Sequence, residues 1–245
     1  MEEVLEVRSD PDEALDCVGS DKTVELPDVG DGDGPGVEPP TGRKANVLLL
    51  ADTSGSMEGP KLEALKKAID RFTGRMYEIR FQAKGGVDPD PDHVGLFDFD
   101  ESFSEVLTIG PIDPSEAVLD TWEGAVSGLD ADGGTALYDA IIQAVDELEE
   151  QRAQSEPARS SVLIALTDGV DQDSQSSLND AVERLRESSV TLFALALSEP
   201  GGAGDYDFSV LEQLANATGG SAYVADTTNL PSLYELFSTI FEIGR

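Results

Sequence analysis

Asp52, Ser54 and Ser56 follow the apolar run "VLLLA" at residues 47–51, with Gly55 between the two serines. A carboxylate and two hydroxyls are hard oxygen donors of the kind that suit Mg²⁺ or Mn²⁺, with Ca²⁺ less natural at so few carboxylates. The same three residues could instead close a strand in a local turn, each hydroxyl satisfying a nearby backbone group. A second apolar run, "VLIALTD" at residues 162–168, ends in Asp168. Ligands of open α/β sheets sit at the carboxyl ends of strands, where strand order reverses, so Asp52 and Asp168 are expected to converge. Two carboxylates held together without a countercharge repel each other and lose hydration. Neither motif contains a basic residue, which makes a bound cation the simplest remedy. Thr135, preceded by two glycines in "DGGTAL", offers a third hydroxyl. Gly55 is expected to let the backbone turn tightly, so that both serine Oγ atoms point inward.

The elements that would position these residues begin at residue 45. "NVLLLAD", "SVLIALTDG" and "VTLFALALS" are short continuous apolar runs, as in strands buried on both faces. "PKLEALKKAIDRFTGRM" carries Leu62, Leu65, Ile69 and Phe72 at helical spacing, with Pro60 at its start. "DHVGLFDFDE" and "FSEVLTIG" read as a hairpin. Helices are expected in "SEAVLDTWEGAVSGL", "ALYDAIIQAVDELEEQR", "SLNDAVERLRESS", "SVLEQLANATGG" and "LPSLYELFSTIFEI", with a strand in "SAYVAD". This alternation predicts an α/β fold whose mostly parallel sheet has helices on both faces. Residues 1–44 show no sustained periodicity. They read as an acidic Gly/Pro/Asp-rich segment and linker, partly disordered, with one short strand in "KTVELP". Their acids do not form a calcium loop. Aligning Asp31, Asp33 and Gly34 with the EF-hand pattern puts Val29 first and Pro40 twelfth, where oxygen ligands are required. The division expected is therefore 1–44 and 45–245.

Charge excludes several partners. Fifty Asp and Glu against 16 Lys and Arg give a net charge of −34 over 245 residues. Such a surface repels nucleic acid and anionic lipid. At molar salt the Debye length falls to about 3 Å and self-repulsion largely vanishes, so the composition suits the interior of a salt-accumulating halophile. A single cysteine, Cys17, gives no internal disulfide, and no apolar run approaches the length of a membrane span. The expectation is a soluble cytoplasmic protein with no membrane insertion.

Asp52, Ser54 and Ser56 in an Asp-x-Ser-x-Ser pattern, the later Thr135, and Thr-Asp-Gly at 167–169 together resemble the metal-ion-dependent adhesion site (MIDAS) of the von Willebrand factor A domain. The resemblance spans about residues 45–245. It implies a Rossmann-like, doubly wound central sheet with one antiparallel edge strand. It further implies a divalent ion held by Asp52, Ser54 and Ser56, with Thr135 binding directly or through water and Asp168 through water. A carboxylate of a partner protein would complete the ion's shell.

Other residues carry weaker signals. Against so acidic a background Asp98, Asp100, Asp171 and Asp173 read as solvated rim acids. Asp139, one turn into the helix after Thr135, is a candidate hydrogen-bond acceptor behind the residues that would touch the metal. His93, the single histidine, starts a strand and reads as a surface residue, while Met57 and Trp122 read as packing residues and Cys17 as inert. The chain lacks a G-x-x-x-x-G-K-[ST] phosphate loop and a G-x-S-x-G elbow, and has Asp-Thr-Ser where an aspartyl-phosphate enzyme needs Asp-x-Asp. These absences favour a non-enzymatic module, and the resemblance implies that it is Mg²⁺-dependent and binds a partner's Asp or Glu. The alternatives are a subunit of an AAA, MoxR or chelatase-type ATPase assembly and, behind it, a metallohydrolase.

Overall fold

The computed structural model describes residues 44–84, 90–112, 115–155, 159–200, 206–234 and Phe237. The expected linker, the "KTVELP" strand and Cys17 lie outside the described residues.

Six strands form one sheet: β1 (Ala45–Asp52), β2 (His93–Phe99), β3 (Phe103–Pro111), β4 (Ser160–Thr167), β5 (Val190–Ser198) and β6 (Ser221–Asp226). Their order is β3-β2-β1-β4-β5-β6. All neighbours are parallel except the β2–β3 hairpin, which makes β3 an antiparallel edge strand. The helices are α1 (Pro60–Lys84), α2 (Glu116–Ser127), α3 (Leu137–Gln154), α4 (Leu178–Glu187) and α5 (Phe208–Asn216). α1 continues eight residues beyond the expected end at Met76, because no glycine or proline lies between Met76 and Gly85. Residues 230–234 are helical and begin the expected last helix.

The unbroken apolar runs follow from a sheet covered on both sides. Val47, Leu49 and Ala51 of β1 face one core, with Leu65, Ile69 and Phe72 of α1, Trp122 and Val126 of α2, and Leu230, Tyr234 and Phe237. Leu48 and Leu50 face the other, with Leu137, Ile141 and Val145 of α3, Val182 and Leu185 of α4, and Leu211 and Leu214 of α5. Every residue of β1 is buried, so the strand holds its register from both faces. Met57 and Trp122 are buried packing residues, as expected. Among the described residues no helix is long and apolar enough to cross a membrane.

The order reverses at β1 and β4. From β1 the chain winds outward to β2 and β3; from β4 it winds the other way to β5 and β6. The crevice this creates lies at the carboxyl ends of the two central strands, which end at Asp52 and Thr167.

Two glycines give a paired test of the packing. A Cβ on Gly220 would lie 1.8 Å from the Leu192 carbonyl oxygen, whereas one on Gly74, inside α1, would meet nothing within 4 Å among the described residues. Gly220→Ala is therefore expected to lose roughly 2–4 kcal/mol of stability through backbone displacement. Gly74→Ala should gain about 0.5–1 kcal/mol through helix propensity. Chemical denaturation of the two variants at one salt concentration measures both.

Candidate metal centre

Parallel pairing sets Ala51 opposite Leu166, so Asp52 emerges beside Thr167 at the top of the two central strands. Asp52 is fully buried. Its Oδ1 accepts the backbone N–H of Ser54 at 2.9 Å, and its Oδ2 accepts the Thr167 hydroxyl at 2.5 Å. Thr167 Oγ1 in turn accepts the Gly169 N–H at 3.2 Å, which ties the strand end to the loop that follows. These donors favour the ionised carboxylate, but burial outweighs them. Burial, with a smaller contribution from the charge of Asp168, raises the Asp52 pKa from 3.8 to about 6.

Beyond Asp52 the chain enters a short 3₁₀ turn, Gly55–Met57, then α1. Ser54 Oγ lies 3.0 Å from Ser56 Oγ, and Ser56 Oγ donates to Asp168 Oδ1 at 2.6 Å. The two acids are thus linked through the serines across the crevice between β1 and β4. Gly55 does not take a left-handed conformation. Its N–H donates to the Gly133 carbonyl at 3.1 Å, and a Cβ there would lie 3.4 Å from that oxygen. The glycine lies within the tight turn expected from the sequence, where the Met57 N–H donates to the Ser54 carbonyl at 2.9 Å, and it also admits this close approach of the α3 loop.

The expectation that the acids lack a protein countercharge needs correction. Lys61, the second residue of α1, puts its Nζ 2.6 Å from Asp168 Oδ2 and 3.3 Å from the Ser56 carbonyl oxygen. The Asp168 side chain is fully buried, and that of Lys61 is 20% exposed. Lys61 lies outside both sequence motifs, and only the start of α1 folding over the β4 end brings it to the site. Lys61 is the site residue that the motif reading missed, and Thr167, read only as part of Thr-Asp-Gly, proves to bind Asp52 directly.

Thr135 is buried in the loop before α3. Its Oγ1 lies 3.8 Å from where a Cβ on Gly169 would stand, so the hydroxyl faces the segment immediately after Asp168. This position is fixed by acids. Asp173 Oδ2 accepts the Thr135 N–H at 2.9 Å, and Asp171 Oδ1 accepts the Tyr138 N–H at 3.1 Å. In return the Thr135 carbonyl accepts the N–H groups of Gln172 at 2.9 Å and Asp173 at 3.2 Å. Gly134 leaves the room this needs: a Cβ there would meet Asp173 Oδ2 at 1.9 Å. Asp171 and Asp173 are therefore not simply solvated rim acids: Asp171 accepts an amide in the first turn of α3, where a helix favours negative charge, and Asp173 accepts the Thr135 amide just before it. Asp139 is an acceptor too, although its partners are the N–H groups of Gln175 at 2.8 Å and Ser176 at 3.0 Å. Burial works against its charge, but the hydrogen bonds from Ser176 and Gln175 outweigh it and hold the carboxyl below its ordinary range.

Of the sequence-predicted set, Asp52, Ser54, Ser56 and Asp168 form one connected cluster, and Thr135 borders it. Asp139 stands one layer back, clamping the loop after β4. Asp98, half-buried near the end of β2, has an Oδ1 with no hydrogen-bond partner among the described residues, and burial and then the Asp100 charge raise its pKa. His93 pairs with Asn46 near the start of β1, at the opposite end of the sheet. Among the described residues no three His, Cys, Asp or Glu side chains come together as a metal cage. A cation at the crevice would draw on two carboxylates and the flanking hydroxyls, a donor set that fits a hard divalent ion.

A doubly wound α/β domain with a carboxylate–hydroxyl cluster at its switch point is the class these features define. The family model of the von Willebrand factor type A domain matches residues 46–238, and the chain belongs to that family. It is 41% identical over 181 residues to mouse matrilin-1, covering 71% of this chain and 31% of the relative. It is 28% identical over 182 residues to pig inter-alpha-trypsin inhibitor heavy chain H4, covering 72% of this chain and 18% of the relative. The chain thus spans less than a third of the length of these curated relatives. Among solved structures, proximal thread matrix protein 1 from the mussel byssus, with a zinc-occupied MIDAS motif, superposes with a TM-score of 0.62 at 14% identity. The match covers 82% of this chain and 48% of the mussel protein.

The raised pKa of Asp52 has a measurable consequence for the metal-free protein. The folded state prefers the protonated acid, so its contribution is present below pH 3.8 and lost as pH rises towards about 6. The loss amounts to about 3 kcal/mol at neutral pH, at 1.36 kcal/mol per pKa unit. In chelator, Asp52→Asn is expected to be more stable than the parent at pH 7, by up to about 3 kcal/mol. The difference should close towards pH 4, and denaturation curves at the two pH values measure it.

Proposed function

We propose that the domain is a divalent-metal-dependent protein-binding module, in which Asp52, Ser54 and Ser56 hold Mg²⁺, with Thr135 and Asp168 as further direct or water-mediated partners. The observation that carries this reading is the connected cluster of Asp52, Ser54, Ser56 and Asp168 between the ends of the two central strands. Oxygen donors of this kind also accept Mn²⁺ or Ca²⁺. When bound, the ion would supply Lewis acidity and a coordination position for a carboxylate from another protein.

The protein's own residues set up that capture. Thr167 and the Ser54 N–H orient the Asp52 carboxylate, and the serine pair spans the gap to Asp168. Asp173 and Gly134 hold Thr135 against the loop after β4. The one imidazole, His93, belongs to the other end of the sheet, and the acid with the raised pKa, Asp52, is the one this reading assigns to the metal. Binding is therefore favoured over hydrolysis. The partner is proposed to present an exposed Asp or Glu, and an AAA-type ATPase subunit is one candidate to supply it. The single cysteine and the acid excess fit the cytoplasm of a salt-accumulating organism as the working environment.

Capture from a native high-salt lysate is expected in Mg²⁺, to be lost in EDTA, and to be lost in Asp52→Ala. A thermal-shift titration with Mg²⁺ should likewise respond in the parent protein and not in Asp52→Ala. Equal capture in EDTA and in Mg²⁺ contradicts a metal bridge.

A further inference from the structure

The Lys61 ammonium occupies an unusual place. It lies in the first turn of α1, where the helix dipole disfavours a cation, and in a chain with only six lysines. What offsets this is its contact with the fully buried Asp168 side chain at 2.6 Å and with the Ser56 carbonyl at 3.3 Å. Asp52 takes no part in that pair and remains the uncompensated acid of the cluster.

We propose that Lys61 is a built-in cation of the site, which lowers its affinity for a divalent metal and raises the affinity of the metal-loaded site for a carboxylate. The inference rests on the metal-site reading above and adds the charge count to it. Asp52 and Asp168 contribute −2 and Lys61 contributes +1, so the site carries −1 before a divalent ion binds and +1 afterwards. Without Lys61 the same count ends at zero. A neutral loaded site would offer an incoming Asp or Glu no net attraction, on a protein whose overall charge of −34 repels it. The lysine thus supplies the positive surplus that two carboxylates would otherwise cancel. The cost is weaker metal binding, because the arriving cation meets a like charge already seated on Asp168.

The test is a Mn²⁺ titration, followed by the electron paramagnetic resonance signal of free Mn²⁺, on the parent protein, Lys61→Gln, Lys61→Arg and Asp52→Ala. It is run in chloride and again with acetate replacing chloride at constant ionic strength. A unit charge at contact distance moves a titration by about 1–3 pKa units, so Lys61→Gln is expected to bind Mn²⁺ at least about tenfold more tightly. Lys61→Arg, which keeps the charge, should bind like the parent. Acetate should tighten Mn²⁺ binding more in the parent and in Lys61→Arg than in Lys61→Gln. Equal or weaker Mn²⁺ binding by Lys61→Gln, or an equal acetate effect in all three, overturns the role of Lys61 while leaving the metal site standing. If Asp52→Ala binds Mn²⁺ as well as the parent, the metal-site reading itself falls and the lysine proposal falls with it. Circular dichroism in chelator checks that each variant is folded.

Discussion

Two buried carboxylates from different strands have to share one crevice, and the architecture around the site follows from that requirement. Parallel pairing of β1 with β4 brings Asp52 and Asp168 together, and burial removes the water that would screen them. The structure meets the cost in two unequal ways. Asp168 receives an ammonium from α1 and a hydroxyl from Ser56. Asp52 receives only neutral donors, the Thr167 hydroxyl and the Ser54 amide, which do not offset its burial, and its pKa rises to about 6. The asymmetry marks Asp52 as the acid with an unmet demand for positive charge.

The loops are held by the same kind of chemistry. Thr53 donates its N–H to the Phe99 carbonyl at 2.8 Å and accepts the Asp132 N–H at 2.9 Å, which joins the ends of β1 and β2 to the loop before α3. The Ala136 N–H to Asp100 carbonyl bond, at 2.7 Å, adds a second tie. Asp171, Asp173 and Asp139 then stitch the loop after β4 to the start of α3. Three loops converging on one crevice are therefore bound to one another and not only to their own strands. Such cross-linking restricts the geometry of groups that a ligand would need to find in place.

Much of this was legible from residues alone because its physical signal is local. Runs such as "VLLLA" and "VLIAL" admit few readings other than doubly covered strands, and the acid at each strand end points to the crevice. Lys61 was not legible, because its partner lies 107 residues away and the pairing depends on how α1 is set over β4. Thr167 was read only as part of a motif, since its hydrogen bond to Asp52 requires the β1–β4 register. The acids were the hardest to interpret. Against an excess of 34 negative charges, Asp171 and Asp173 looked like solvated surface, yet they hold the start of α3 and the Thr135 loop before it. Asp180, Asp207 and Asp226 likewise accept hydrogen bonds from nearby Ser, Thr and backbone groups at helix starts and turns. In so acidic a chain composition hides structural aspartates, and only spacing to a helix start could have singled them out.

The central claim is that the crevice between β1 and β4 holds a divalent cation on the Asp52 side, with Lys61 retained beside Asp168. Anomalous diffraction from crystals grown with Mn²⁺ tests it most directly. The account predicts a peak within coordination distance of Asp52, Ser54 and Ser56, with the Lys61 ammonium still ordered close to Asp168. A crevice with no anomalous peak there, or a peak whose nearest protein atoms exclude Asp52, would contradict it.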